Sequence, residues 1–180
     1  MSAEDGLADT IRPRLDAANA DVSRVVAVQG VPIDDEGTLR PPTLADVEQL
    51  RTLVTGTHAR LVIIDVLMAY LPTGTDAHKD QDVRRVLARL AALAESTSCS
   101  ILLLRHLNKG NGDPLYRGGG SIGIVGAARA GMIVATDPDN ADQRVLASVK
   151  NNLAPKPPSL LYQLVPDDLR GVPRVQWGWL

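Results

Sequence analysis

A chain of 180 residues with a net charge of −2 is long enough for one domain with a real core, and it has no global positive field to draw nucleic acid. The apolar fraction of 44% is almost wholly aliphatic, with no Phe, two Trp and three Tyr, which disfavours base stacking as a mode of single-strand recognition. One cysteine, Cys99, excludes an internal disulfide, no stretch approaches the roughly 18 apolar residues of a membrane span, and the start is polar and acidic, so a cytoplasmic protein without a membrane partner is expected.

Residues 1–6 read as a loop, and Leu7, Ile11, Leu15 and Ala18 form the stripe of a helix from Leu7 to Ala18. Val25 to Gly30 reads as a short buried strand, and Pro32 to Pro42 as a loop. Thr43, with Asp46 three residues on, predicts a capping-box-like start to a helix ending near Val54. Leu61-Val62-Ile63-Ile64-Asp65 is an apolar strand that ends in an acid. After a Pro-Thr-Gly break, Val83, Val86, Leu87, Leu90, Leu93 and Ala94 mark the inner face of a helix over 80–95.

A second apolar strand, 99–107, ends in Arg105-His106-Leu107-Asn108-Lys109, and a Gly-rich loop follows over 108–120. A helical turn near Ile124 to Arg129 precedes strands at 132–135, 144–150 and 160–164, which read as an antiparallel edge closing a parallel sheet. Strand, helix, strand, helix, strand at this spacing predicts an α/β fold of right-handed βαβ units in a single domain, 1–180.

Asp65 stands where ligands bind in open α/β sheets, at the carboxyl end of a parallel strand, and reads either as a site acid or as a cap on the following turn. His106 ends the neighbouring strand and reads either as a phosphate-sensing group or as a structural histidine. Lys109, Arg117 and Arg129 flank the glycines, as phosphate contacts or as solvated loop cations. Gly118-Gly119-Gly120-Ser121-Ile122-Gly123 also fits the dinucleotide pattern G-x-G-x-x-G, but Asn108 to Arg117 separate it from its strand, too far for a tight strand-to-helix turn.

Taken together, the strand ending in Asp65, the long helix, the strand ending Arg-His-Leu-Asn-Lys, then Arg117-Gly-Gly-Gly-Ser, Ala128-Arg129 and Lys150-Asn151-Asn152 before a final hairpin resemble the ATPase core of RecA-like AAA family proteins. The likeness is to RepA and DnaB type replicative helicases, of the kind found in actinobacterial phages, plasmids and integrated elements. It implies a three-layer core with a mainly parallel sheet and a C-terminal antiparallel hairpin, and Ser2 to Gly6 as the end of the family's second core strand.

The resemblance further implies that Glu4 activates the attacking water, that Asp65 is the Walker B acid holding the Mg²⁺ water shell, and that His106 senses the γ-phosphate of ATP. Lys150 would reach a neighbouring subunit's ATP, with Asn152 standing where DnaB-type relatives carry a finger Arg. Loop 108–121, with Lys109, Arg117 and Ser121, would face DNA. Expected partners are a homo-oligomeric ring or intact ATPase subunits.

The P-loop pattern G-x-x-x-x-G-K-S/T is nowhere in the 180 residues. The expectation is therefore the C-terminal two-thirds of such a core, N-terminally truncated, with ATP and Mg²⁺ used by the complete form and bound weakly or not at all by this chain. The alternatives are a non-catalytic remnant docking on intact subunits, or, from the glycine pattern, a dinucleotide-binding oxidoreductase.

Overall fold

The computed structural model describes residues 1–108, 118, 120–121 and 123–178. It divides into two compact units, Met1–Glu4 with Ala27–Ala127, and Asp5–Val26 with Ala128–Leu180. The first helix, α1 (Arg12–Ala17), belongs to the second of these.

In the first unit, β1 (Val31–Pro32) and β2 (Leu39–Arg40) form a short antiparallel hairpin. Thr38 closes its turn, donating its N–H to Asp34 Oδ1 at 2.8 Å. The expected buried strand at 25–30 joins no ladder and is mostly exposed, Val25 and Val26 to about half, and the hairpin partner Leu39–Arg40 pairs with Val31 and Pro32.

Helix α2 (Val47–Thr57) starts later than Thr43. The capping-type exchange does form, with Thr43 N–H donating to Asp46 Oδ2 (2.8 Å) and Ala45 N–H to Thr43 Oγ1 (3.2 Å). It closes a separate turn over 43–46, and Arg40 clamps the same Asp46 carboxylate, with Nη1 2.9 Å from Oδ2. That guanidinium, helped by the Thr43 N–H against the cost of burial, holds the Asp46 carboxyl down at about 2.

Strand β3 (Leu61–Ile64) pairs in parallel with β4 (Ser100–Leu103), and α3 (Asp80–Thr97) makes the crossover between them. Val83, Val86, Leu87, Leu90 and Leu93 on α3 are buried in one core with Val62 and Ile64 of β3, Leu44, Val54, Leu67 and Tyr70. Cys99 packs there as a small apolar residue, and burial raises its thiol pKa.

The unbroken apolar run of β3 suggests burial on both faces. The structure covers one: Ile64 is fully buried, whereas Leu61 and Ile63 are 52% and 43% exposed. A five-residue helix, α4 (Gly123–Ala127), packs on α3.

In the second unit, a π-helical turn (Leu7–Ile11) runs into α1, so the expected helix at 7–18 forms with a widened first turn, and Arg14 pairs with Asp5 at 2.7 Å. Strands β5 (Ala130–Thr136), β6 (Gln143–Asn151), β7 (Leu160–Asp167) and β8 (Val172–Gly178) make an antiparallel meander in that order. Its last hairpin turns through Gly171, whose φ of +66° suits glycine.

Mixed helix and strand content with a parallel pair agrees with the α/β expectation at that level. The antiparallel strands differ from it: they hydrogen-bond as a four-stranded sheet of their own, not as an edge on β3 and β4. Each is joined to the next by a tight or proline-rich turn, so local pairing is the short route for satisfying their backbone groups.

Candidate functional site

Parallel pairing from Leu61↔Ser100 to Ile64↔Leu103 makes Asp65 and the segment Leu104–His106 leave the sheet at the same end. The opening residues pair on the opposite edge of β3. Asp65 donates its N–H to the Met1 carbonyl at 3.0 Å and its carbonyl accepts from Ala3 N–H at 2.8 Å, so Ser2 is a parallel neighbour of Asp65. Of the segment Ser2 to Gly6, expected as the end of a core strand, Ser2 alone bridges β3's extension at Asp65, and residues 3–5 bend away. The next peptide bond, Asp65–Val66, is cis.

Glu4 follows directly, and its carboxylate oxygens lie 3.1 and 3.3 Å from His106 Nε2. Both side chains are largely exposed, at 52% and 73%. As a surface ion pair the contact adds little to stability. Its significance is chemical, since a carboxylate and an imidazole meet at the end of the sheet at which β3 delivers Asp65. The buried Tyr70 also feels Asp65: burial first, then the Asp65 charge, raises its phenol pKa.

Arg105, a residue that the sequence reading did not single out, enters the same end. It is half-buried, and its Nε and Nη1 are buried with no hydrogen-bond partner among the described residues. Removal from water pushes its pKa down. Gly118, bridged to Leu107, lies against the guanidinium, so that a Cβ there would meet Nη2. In the sequence Arg105 stands among the polar residues that end the strand, and nothing there marks its nitrogens as buried.

Ser121 differs from its expected place on a DNA-facing loop. It is 7% exposed, and its hydroxyl donates to Asp80 Oδ1 and accepts from Gly123 N–H, both at 2.9 Å. It ties the start of α3 to the start of α4. Lys150 lies on β6 opposite Gly131, in the second unit, and Asn152 donates its N–H to the Arg129 carbonyl at 3.0 Å. Lys109 and Arg117, with most of loop 108–121, lie outside the described residues.

Among the described residues no group of three His, Cys, Asp or Glu could hold a metal by itself. The acids present fit Mg²⁺ of the other kind, held by one or two carboxylates through water and substrate phosphates. They do not by themselves fit a triphosphate, whose charge Asp65 and Glu4 would repel without a P-loop cradle.

The glycine pattern fits a dinucleotide fold poorly. Gly120 takes φ +89°, α4 is only five residues long, and the strand that follows it joins an antiparallel sheet rather than returning in parallel. No described helix is long and apolar enough to cross a membrane.

No curated protein matches the chain. A family model for the AAA domain matches residues 1–112, which takes in Glu4, the β3–α3–β4 crossover, Asp65, Arg105 and His106. The chain belongs to the AAA domain family, a family of AAA-type ATPases whose members generally use ATP and Mg²⁺.

Proposed function

We propose that the chain supplies the hydrolytic strand end of a RecA-like ATPase core, one that couples ATP hydrolysis to unwinding or remodelling DNA in the replication of a mobile element. The observation that supports this reading is the Glu4–His106 contact at the same end of the parallel β3–β4 pair as Asp65. In that reading Asp65 orders the Mg²⁺ water shell, Glu4 orients the attacking water, and His106, against Glu4, responds to the γ-phosphate.

The remaining parts of the notion follow from the same likeness to RepA and DnaB type helicases. A P-loop from residues that the 180 do not contain completes the phosphate cradle. The bare apolar strip at Leu61 and Ile63 supports a third layer over β3. Lys150 reaches a neighbouring subunit's ATP in a ring, and loop 108–121 contacts DNA.

The test compares two forms of the protein. Joined to a segment carrying G-x-x-x-x-G-K-S/T, the chain hydrolyses Mg²⁺-ATP, and Asp65→Ala or Glu4→Gln lowers kcat by roughly 100-fold or more. The 180 residues alone give no turnover above their own Asp65→Ala variant. Turnover in the joined form that is indifferent to both substitutions would overturn the assignment.

A further inference from the structure

In an antiparallel sheet, cross-strand partners share a face, and so do alternate residues along each strand. By its register the meander β5–β8 therefore has one face that carries Met132 and Val134 of β5, Leu160 and Leu164 of β7, and Val175 and Trp177 of β8. Each of these six residues is 45–58% exposed. Leu146 and Tyr162 lie between them, half-buried, and join them into one patch; the Tyr162 and Trp177 ring centroids are 5.4 Å apart. On the opposite face Ile133, Val145, Leu161 and Val165 are all half-buried, so the two sides of the sheet are not equally covered.

The size and the charge of the bare side indicate what fits it. Trp177 alone leaves on the order of 100 Å² open to water. The whole patch exceeds the few hundred Å² that monomers commonly leave bare. Two such faces laid together remove roughly 1,000 Å² or more of surface, the threshold of a specific interface. The one charged strand residue on this face is Arg144, beside Tyr162, and its Nη1 is turned back on the carbonyls of Ala141 (2.7 Å) and Gln143 (3.0 Å). A nucleic acid strand would find two rings here but only that one, already engaged, cation. A nearly uncharged apolar face is instead complementary to its own copy, because stacking it on itself brings few like charges together. The chain's net charge of −2 adds little repulsion.

We propose that this face is where two copies of the chain associate, sheet against sheet about a two-fold axis, with Trp177 and Tyr162 as its anchors. The proposal concerns the second unit and stands apart from the nucleotide reading.

The experiment is sedimentation equilibrium of the full 180-residue chain at concentrations spanning the micromolar range. The wild-type mass rises with concentration to a plateau at two copies. Leu164→Lys raises the dimer Kd by about 100-fold or more, since each substitution enters a two-fold interface twice. Val134→Lys does the same from another strand, so if one variant fails to fold, by circular dichroism, the other still reads the interface. Leu169→Lys, at a residue 93% exposed between β7 and β8 and off the face, leaves the mass unchanged.

A monomer at every concentration overturns the proposal, whether or not it binds a single-stranded oligonucleotide, and so does a mass that passes two copies. A dimer that survives both lysine substitutions at Leu164 and Val134, that is weakened equally by Leu169→Lys, or that is dissolved by Leu61→Gln on β3, overturns it as well.

Discussion

Glu4 and His106, separated by 102 positions in sequence, meet at 3.1 Å across the end of β3. Ser2 pairs on one edge of that strand and β4 on the other, so the contact passes over the strand that delivers Asp65. The opening segment, β3 and β4 thus each carry one residue, Glu4, Asp65 and His106, to the same end of the sheet. An exposed pair of this kind holds the fold together only weakly, which separates its chemical role from its structural one. His106→Ala is expected to change the unfolding free energy by less than about 0.5 kcal/mol. In the form that carries a P-loop it should lower kcat by roughly 100-fold or more, with Glu4→Gln doing the same. A phosphate-release assay beside a urea melt checks both, and a large stability loss with normal turnover would reverse the interpretation.

Ser121 makes the opposite prediction. Its hydroxyl bonds Asp80 and the Gly123 N–H, so Ser121→Ala leaves a buried donor unsatisfied and should cost about 1–2 kcal/mol. DNA affinity, measured by anisotropy on a labelled oligonucleotide, should be unchanged, since the side chain is not presented to solvent. Weakened binding with normal stability would return Ser121 to the DNA-facing surface.

What could be read from the sequence was what periodicity and strand-end chemistry encode. The α3 stripe from Val83 to Leu93 is buried as its spacing required, and Asp65 and His106 leave parallel strands at one end because the crossover fixes both polarity and register. The unpaired stretch 25–30 was not legible, since apolar, β-branched residues look alike whether or not a partner strand reaches them. The separate meander was missed because strand propensity says nothing about which sheet a strand joins. Ser121 sits in a glycine-rich stretch that reads as exposed loop, and its burial depends on Asp80, a long-range contact.

The asymmetry of β3 gives a test of its own. Ile64 is fully buried and Leu61, three residues away on the other face, is half-exposed. Ile64→Ala should cost about 2–5 kcal/mol through lost transfer energy and a cavity. Leu61→Gln should stay within about 0.5 kcal/mol in the same chain. Chemical denaturation of the two variants compares the faces directly. A cost above about 2 kcal/mol for Leu61→Gln would mean that the outer face is covered in solution, by another part of the protein or by a second copy.

The Arg40–Asp46 pair predicts a pH dependence whose sign follows from the charge it favours. Arg40 holds the Asp46 carboxyl at about 2 in the folded chain, against 3.8 for an ordinary aspartate. A depressed folded value means that the native state binds fewer protons than the unfolded one, so the contribution is complete above about pH 5. It is lost as the pH falls through 3.8 towards 2, and it amounts to at most about 2 kcal/mol. Asp46 is 9% exposed and Arg40 is 40% exposed, so water screens one side of the pair and the measured value should lie below that limit. Urea midpoints between pH 2 and 6 should therefore fall more steeply for wild type than for Asp46→Asn, which lacks the titrating group. The two curves should converge at the acid end. Parallel curves across the whole range would mean that neither Arg40 nor the Thr43 N–H favours the charged Asp46 carboxylate in solution.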